Sequence, residues 1–490
     1  MSVDAEHPAP DVLTTPEAGG LVIRGSVMRI AGFAVGTVLL AAASVLLLRH
    51  LGVVAFGQYV TVMSVVTVAS VVADAGLSAV GSRELALRAP GPERRALLAN
   101  MLGIRMLITP LGVVGAVVFS LLAGYPKEMV IGTLLAGAGL TLTVWQGTLL
   151  LLPVVELKNG RVTAVEVTKQ VVTVIGIAAL VAAGAALTPF FAVPIALGVI
   201  LIVTTPLLLG RGTLVLPRRN LELWRTLLRE SLPVAAAFVL VTLYLRIVVV
   251  LMSLISSGYE TGLFSTSFRI LETLIQAPML LAGIALPLLT AAARDDHERL
   301  RNALQRITQV GLTCAALAVV VTVLAADTIV TVLGGEEYEA AGIVLQIQVC
   351  ALFGIFLSQF WNSALIALHQ QRDLIVVNAI ALVGLGVLAG VLIPLWGAKG
   401  GALATVLGDL LLAGLLLWRL RTAGTPGELR FGFLWRLLAI TAVALAPGLI
   451  PGLWEPAAAA LGFALFIGAA IVLKMVPEEL PAALRARRHG

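Results

Sequence analysis

The sequence predicts an all-α, polytopic membrane protein of about fourteen transmembrane helices, set out as two six-helix lobes in parallel repeat plus two further C-terminal helices. Three observations lead there. The first is composition: 59% of the residues are hydrophobic and 12% are charged, with a mean hydropathy of +1.03, where soluble domains run at about 45–50% and ~25%. The second is that apolar runs recur down the whole chain, most of them near the ~20 residues that a bilayer crossing needs. The third is that Lys and Arg alternate between successive connecting segments. A net charge of +6 follows from such basic loops and gives no reason to expect nucleic acid as a partner.

Taken in order, residues 1–22 are polar and hold Pro8, Pro10 and Pro16, and are expected as a disordered cytoplasmic tail. They lack the short apolar core and small-residue cleavage site of a signal peptide, so the first crossing is expected to be retained. Crossings are expected at about 27–48, 58–80, 99–123, 129–153, 163–186 and 189–210, which form an N-terminal lobe over 23–210. Residues 211–230 are a basic cytoplasmic joint. In it Leu221, Trp224, Leu227 and Leu228 recur at helical spacing among Arg218, Arg219, Arg225 and Arg229, which predicts an interfacial amphipathic helix. A second set of crossings at 232–256, 262–293, 307–334, 341–369, 374–394 and 399–421 forms the lobe 231–421. Two more, 432–453 and 456–476, lie within 422–476, and a basic cytoplasmic tail closes the chain at 477–490.

Loop charge supports this map. Of the 33 Lys and Arg, only Arg49, Lys127 and Lys399 fall in the loops of one side, and Arg105, Lys169, Arg246 and Arg269 fall inside crossings. The rest lie on the side of both termini, which is therefore the cytoplasmic one. The second crossing opens with Gly57-Gln58-Tyr59 and the eighth with Gly262-Leu263-Phe264. An offset of six crossings keeps orientation, so the lobes are related by an axis along the membrane normal.

Charge inside the crossings carries the functional signal, because a charged group at mid-membrane costs about 2.5–3.5 kcal/mol or more. Arg246 lies ten residues before Ser256 and Arg269 seven after Gly262. At ~1.5 Å per residue both sit roughly 10–15 Å below the same face. Glu272, three residues past Arg269, shares its helix face. These residues are expected to form one wall of a polar cavity in a transporter, and a purely structural Arg269–Glu272 ion pair stays open as the alternative. Asp409 falls near mid-membrane in the twelfth crossing, either as a proton- or ion-coupling carboxylate or as a protonated hydrogen-bonding partner; Glu272 is the other coupling candidate. Arg29, Arg105 and Lys169 lie close enough to the cytoplasmic ends to snorkel, Lys169 with Glu166 as a local partner. Asp74 and Arg83 are expected as a structural tie. Cys314 and Cys350 stand alone in apolar runs, no His or Cys spacing suits a metal, and no phosphate-binding Gly-rich loop is present, so neither metal, cofactor nor ATP chemistry is expected.

The motifs Arg49-His50-Leu51-Gly52, Phe56-Gly57-Gln58-Tyr59, Asp74-Ala75-Gly76-Leu77 and Ser82-Arg83-Glu84-Leu85-Ala86 form an ordered series. Further on come Ser231-Leu232-Pro233, Leu243-Tyr244-Leu245-Arg246-Ile247, Thr261-Gly262-Leu263-Phe264, Leu333-Gly334-Gly335-Glu336-Glu337-Tyr338 and Ile393-Pro394-Leu395-Trp396-Gly397-Ala398. Together, over about residues 22–421, they resemble the bacterial polysaccharide-biosynthesis flippases, in the superfamily that includes the multidrug and toxin extrusion (MATE) transporters. The resemblance implies a MATE-like fold in the bacterial cytoplasmic membrane, with two lobes rocking around a central cationic cavity bounded by helices 1, 2, 7 and 8. The implied cargo is a polyprenyl-diphosphate-linked glycan moved from the inner to the outer leaflet, with a polysaccharide polymerase and glycosyltransferases as candidate partners beside the lipid bilayer. Where the family often carries Arg-Ile-Asp, this chain has Arg246-Ile247-Val248, which puts carboxylate-based ion coupling at that position in doubt.

For such cargo, Arg246 and Arg269 are the expected diphosphate ligands, since a planar guanidinium grips phosphate oxygens at two points. Arg29 and Arg83 are candidates for the cytoplasmic mouth. Tyr244, Gln276, Trp145, Gln146, Gln359, Trp361, Asn362 and Asn378 are candidate sugar-facing groups, with helix packing the alternative for each. A cation-coupled drug exporter is the competing function in the same fold and should carry an acidic cavity. A membrane glycosyltransferase or polymerase would need sizeable external loops bearing catalytic groups, and the loops here are short. No catalytic residue is expected.

Overall fold

The computed structural model describes residues 16–156, 158–210, 215–295, 297–422 and 432–473, with the side chains of the first helix described from residue 35. The expected tail 477–490 lies outside the described residues. Seventeen α-helices make up the described chain, with no strand among the described residues. They are α1 (Pro16–Asp74), α2 (Leu77–Leu87), α3 (Pro92–Leu122), α4 (Lys127–Val155), α5 (Asn159–Ala182), α6 (Leu187–Phe190) and α7 (Val193–Leu209). The second half adds α8 (Leu221–Ile255), α9 (Gly258–Leu274), α10 (Gln276–Asp295), α11 (His297–Leu324), α12 (Ala326–Gly334), α13 (Ala341–Gln348), α14 (Ala351–Ala367) and α15 (Gln371–Thr422). The last two are α16 (Leu434–Leu445) and α17 (Glu455–Val472). With no water in a bilayer core, only helices satisfy every peptide group within one segment.

Among the described residues, eleven helical segments are long and apolar enough to cross a membrane, against fourteen expected. The difference arises at three places. α1 and α15 are each continuous over what the sequence divides into two crossings, but α1 is broken at Gly52 (φ 72°, ψ 173°) and α15 at Gly397 (φ 55°, ψ −130°). Positive φ costs little without a Cβ, so each glycine lets the chain reverse with almost no loop. The contacts of α1 and of the turn that follows it trace such a reversal: Ser44 meets Arg269, Gly57 packs on Gly262, and Gly76, just before α2, packs on Ser231 and Ala235 near the start of α8's apolar run. The third place is the expected crossing 432–453, of which only α16 and a short 3-10 turn (Ala446–Leu449) form. Reading α1 and α15 as pairs gives thirteen, and the fourteenth would have to be the short α16 with its 3-10 turn.

Two further expectations need correction. Residues 16–22 begin α1 and are not part of a disordered tail. The amphipathic segment of the joint is not a separate helix; Leu221–Glu230 are the first turns of α8 itself, and Asn220 caps it by accepting from Leu223 N at 3.3 Å. Leu227 is buried against the N-terminal lobe while Arg225 and Arg229 stay exposed, so the amphipathic pattern was real and the boundary was not.

The two lobes meet along α1, α8 and α9. At one end of the interface a Cβ on Gly57 would lie 2.8 Å from the Cα of Gly262. These are the two glycines that the repeat equates, and equivalent positions meet face to face only near the axis that relates them. The same end is tied by Tyr338 Oη donating to Leu48 O at 3.0 Å, Arg49 Nη2 to Val332 O at 2.6 Å, and Tyr125 and Ser253 hydroxyls 2.6 Å apart. α16 and α17 pack on α11 around Val320, Leu324 and Phe466. Glu455, at the start of α17, accepts from both N and Oγ1 of Thr328 at 2.8 Å and so holds α12 to α17.

Candidate functional site

Below the Gly57–Gly262 seam, the lobes part to leave a cavity of about 640 Å³. α1 contributes Gly36, Thr37, Leu40, Ala41 and Ser44. α5 contributes Thr163, Glu166 and Gln170, and α9–α10 contribute Arg269, Glu272, Thr273 and Gln276. The spacing of 163, 166 and 170 puts three polar groups on one face of α5. Small residues on α1 hold that helix close: a Cβ on Gly36 would lie 3.3 Å from Gln170 Cγ.

Three charged side chains form the core of the site. Glu272 accepts from Arg246 Nη2 at 2.5 Å through one carboxylate oxygen and from Arg269 Nη1 at 2.8 Å through the other. The structure therefore brings together the three residues that the sequence singled out, but it does so around the carboxylate. Arg269 is 36% exposed and lines the central cavity, and its Nε donates to Ser44 Oγ across the lobe interface at 2.9 Å. Arg246 is 20% exposed, lies under the Phe268 ring with Cζ 5.6 Å from its centre, and does not line that cavity. The expected pair of cavity-lining guanidiniums is thus one lining guanidinium and one behind it, because Glu272 sits between them. Glu166, expected to pair with Lys169, instead lines the cavity, and no ion pair joins the two among the described residues.

A second cavity, of about 280 Å³, lies within the C-terminal lobe between α8, α9, α14 and α15. Arg246 and Glu272 close one side of it. Tyr244, Gln276, Gln359, Asn362, Asn378 and Asp409 also line it, so most of the sequence's candidate polar groups converge here. Tyr244 Oη donates to Asp409 Oδ1 at 2.9 Å, and Asp409 is only 6% exposed. Ser358, also in this wall, keeps a buried hydroxyl without a hydrogen-bond partner among the described residues, as does Asn362 at its carbonyl oxygen. Sequence reasoning missed Ser358 because a lone serine in an apolar helix carries no pattern.

Other candidates fall elsewhere. Gln146 donates to Thr205 at 2.8 Å, Trp361 to Thr308 at 3.3 Å, and Trp145 to the Arg105 carbonyl at 3.4 Å, all packing roles. Arg105 does not snorkel. It is fully buried, ion-paired to Asp74, and donates to Thr148 Oγ1 at 2.8 Å and Ser78 Oγ at 2.6 Å. Asp74 is thereby tied to Arg105 rather than to Arg83, whose side chain is 70% exposed on α2 and is absent from the central cavity wall. The side chain of Arg29 lies outside the described residues. No His, Cys, Asp and Glu cluster suited to a metal occurs among the described residues.

The family model described as polysaccharide biosynthesis protein matches residues 30–293, more than half of the chain. The chain belongs to the polysaccharide biosynthesis protein family. A second model, described as MatE, matches residues 233–392 of this family member. A search of curated proteins returns no match. Among solved structures, the lipid II flippase MurJ in an inward closed conformation is similar at a TM-score of 0.75 and 12% identity, covering 92% of this chain and 98% of its own. An inward-facing multidrug resistance MATE family transporter of the MOP superfamily gives 0.63 and 14%, over 82% and 100%. A MOP superfamily transporter from Pyrococcus furiosus, described by the reverse polarity of its binding pocket, gives 0.55 and 15%, over 86% and 100%. At these identities the likeness is one of fold: this polysaccharide biosynthesis protein has the MATE-like fold that its sequence predicts, and MurJ shares that likeness.

Proposed function

We propose that the protein is a flippase that carries a polyprenyl-diphosphate-linked oligosaccharide from the inner to the outer leaflet of the bacterial cytoplasmic membrane by alternating access, with both termini cytoplasmic. One observation carries the reading: Arg269 is a partly exposed guanidinium on the wall of an interlobe cavity, and Glu272, the one carboxylate it pairs with among the described residues, is already shared with Arg246. Two guanidiniums share this one carboxylate, so the Arg246–Arg269–Glu272 cluster itself is net positive, and the Arg fork is well matched to a diphosphate, while Glu166 stands on the α5 wall of the same cavity. The polar strip of Thr163, Glu166 and Gln170 across the cavity suits sugar hydroxyls. Arg269 also spans the interface to Ser44, so a diphosphate that took over its donors would loosen the tie between the lobes. That is a differential contact of the kind alternating access requires. A polysaccharide polymerase and glycosyltransferases are the partners that such a cargo implies.

Ion coupling is assigned in this proposal to Asp409, buried in the C-terminal cavity with Tyr244, Asn378 and Ser358 around it. A second reading, an ion-coupled exporter of cationic molecules, is favoured by one observation: Glu166 and Glu272 both line the central cavity. Arg269→Ala separates the two. In cells depleted of the native protein, the flippase reading expects the variant to be made and inserted normally while lipid-linked glycan accumulates on the inner leaflet. Normal export would remove Arg269 from the cargo site, and increased efflux of a cationic dye by the same variant would favour the exporter.

A further inference from the structure

Between α7 and α8, the described residues 215–220 of the connection between the lobes lie against the N-terminal lobe. Arg218 N donates to Ala99 O at 3.0 Å, Asn220 N to Asn100 Oδ1 at 2.9 Å, and Trp224 Nε1 to the same oxygen at 3.2 Å. Two hydrogen bonds from the connection and one from the first turn of α8 thus pin this region to α3. Beside it opens a cavity of about 680 Å³, outside the interlobe site, bounded by the first turns of α3 and the last turns of α4 and α7.

The wall of this cavity is divided by chemistry. Arg94, Arg95, Lys158 and Arg218 face a single carboxylate, Glu156. Lys158 pairs with Glu156 at 2.6 Å, and Arg94 Nε donates to Arg88 O at 2.7 Å. Arg95 and Arg218 are exposed and have no side-chain partner among the described residues. Leu152, Leu209 and Leu216 form the apolar part of the wall, and Leu216 stands 84% exposed. An apolar side chain that open to water would be unfavourable, and it is not unfavourable against acyl chains. The level in the membrane agrees. Pro92–Leu122, Lys127–Val155 and Leu187–Leu209 are each long and apolar enough to cross, and the ends that bound this cavity therefore lie at the headgroup layer.

We propose that this cavity binds the headgroup of an anionic phospholipid. Arg95 and Arg218 grip its phosphodiester, while an acyl chain lies along Leu209 and Leu216. Basic pockets between membrane helices recognise anionic headgroups through the same combination of charge and apolar wall. Because Arg218 belongs to the interlobe connection and Arg95 to α3, one bound lipid clasps the connection to the N-terminal lobe. Lipid composition would then bias how freely the lobes move, independently of which cargo they carry.

The test uses the full-length protein purified in mild detergent and exposed to equimolar phosphatidylglycerol and phosphatidylcholine, with retained lipids counted by native mass spectrometry. The native protein should retain one phosphatidylglycerol in strong preference to phosphatidylcholine, and millimolar inorganic phosphate should not displace it. In the double variant R95Q/R218Q the preference should fall on the order of thirtyfold, and in each single variant about fivefold, so the test survives a double variant that does not fold. R95K/R218K should keep most of the preference. Equal retention of the two lipids by the native protein, an unchanged preference in the glutamine variants, or displacement by inorganic phosphate would overturn the proposal.

Discussion

Replacing Glu272 with Gln tests the centre of the site most directly. The carboxylate receives Arg246 at 2.5 Å and Arg269 at 2.8 Å, and the amide keeps the shape but loses the charge. A hydrogen bond to a charged group contributes about 1.5–3 kcal/mol net when buried. Here Arg246, Arg269 and Glu272 side chains are 20%, 36% and 25% exposed, so solvent screening puts each bond at or below the lower end of that range. The two together give a loss of about 2–3 kcal/mol. A domain of about 150–250 residues loses about 2–4 °C in Tm per kcal/mol, and a chain of this length less. The expected fall is about 2–6 °C, read by tryptophan fluorescence on heating the purified protein in detergent. A double-mutant cycle with Arg246→Met separates the pair from its surroundings. Contacting residues couple, so the double variant should lose less than the sum of the singles by about 1 kcal/mol. A Tm for Glu272→Gln indistinguishable from that of the native protein would refute the reasoning, as would additive effects, because either would mean that the carboxylate does not hold the two guanidiniums in the membrane.

Asp409→Asn should make transport indifferent to the imposed ion gradient in proteoliposomes while leaving insertion unchanged; a gradient dependence equal to that of the native protein would count against coupling at this residue. Topology is open to labelling in a background without Cys314 and Cys350: a cysteine replacing Glu337 should react with an impermeant maleimide added outside intact cells, and one replacing Arg299 only after the membrane is broken. Arg299 is chosen because it is exposed, whereas the neighbouring Leu300 is fully buried. The opposite labelling pattern would invert the orientation on which inner-to-outer transport rests.

Much of the architecture was legible because a bilayer leaves few solutions. Long apolar runs can only be helices there, and a charge inside such a run is costly enough to mark itself. Arg246, Arg269 and Glu272 were found on that ground, and helix rise alone put them at a common depth. Asp409 and the polar groups Tyr244, Gln359, Asn362 and Asn378 were legible as exceptions to an apolar background, and they do converge on one cavity. Arg105 was misread because its distance from a helix end suggested snorkelling. Its partner, Asp74, lies 31 residues away, and such a pairing has no local signature.

The sequence by itself determined that this chain is a bundle of membrane-length helices, which of them carry buried charge, and that its halves repeat in the same orientation. These follow from residue chemistry, helix rise and loop charge, all of which are local. Only the tertiary structure decided that Gly52 and Gly397 turn the chain within otherwise continuous helices, that Glu272 stands between the two guanidiniums so that one lines the cavity and the other does not, and that the connection between lobes is fastened to α3. The turns depend on backbone dihedrals that glycine permits but does not force. The other two depend on side-chain packing between segments far apart in the chain, where no periodicity records it.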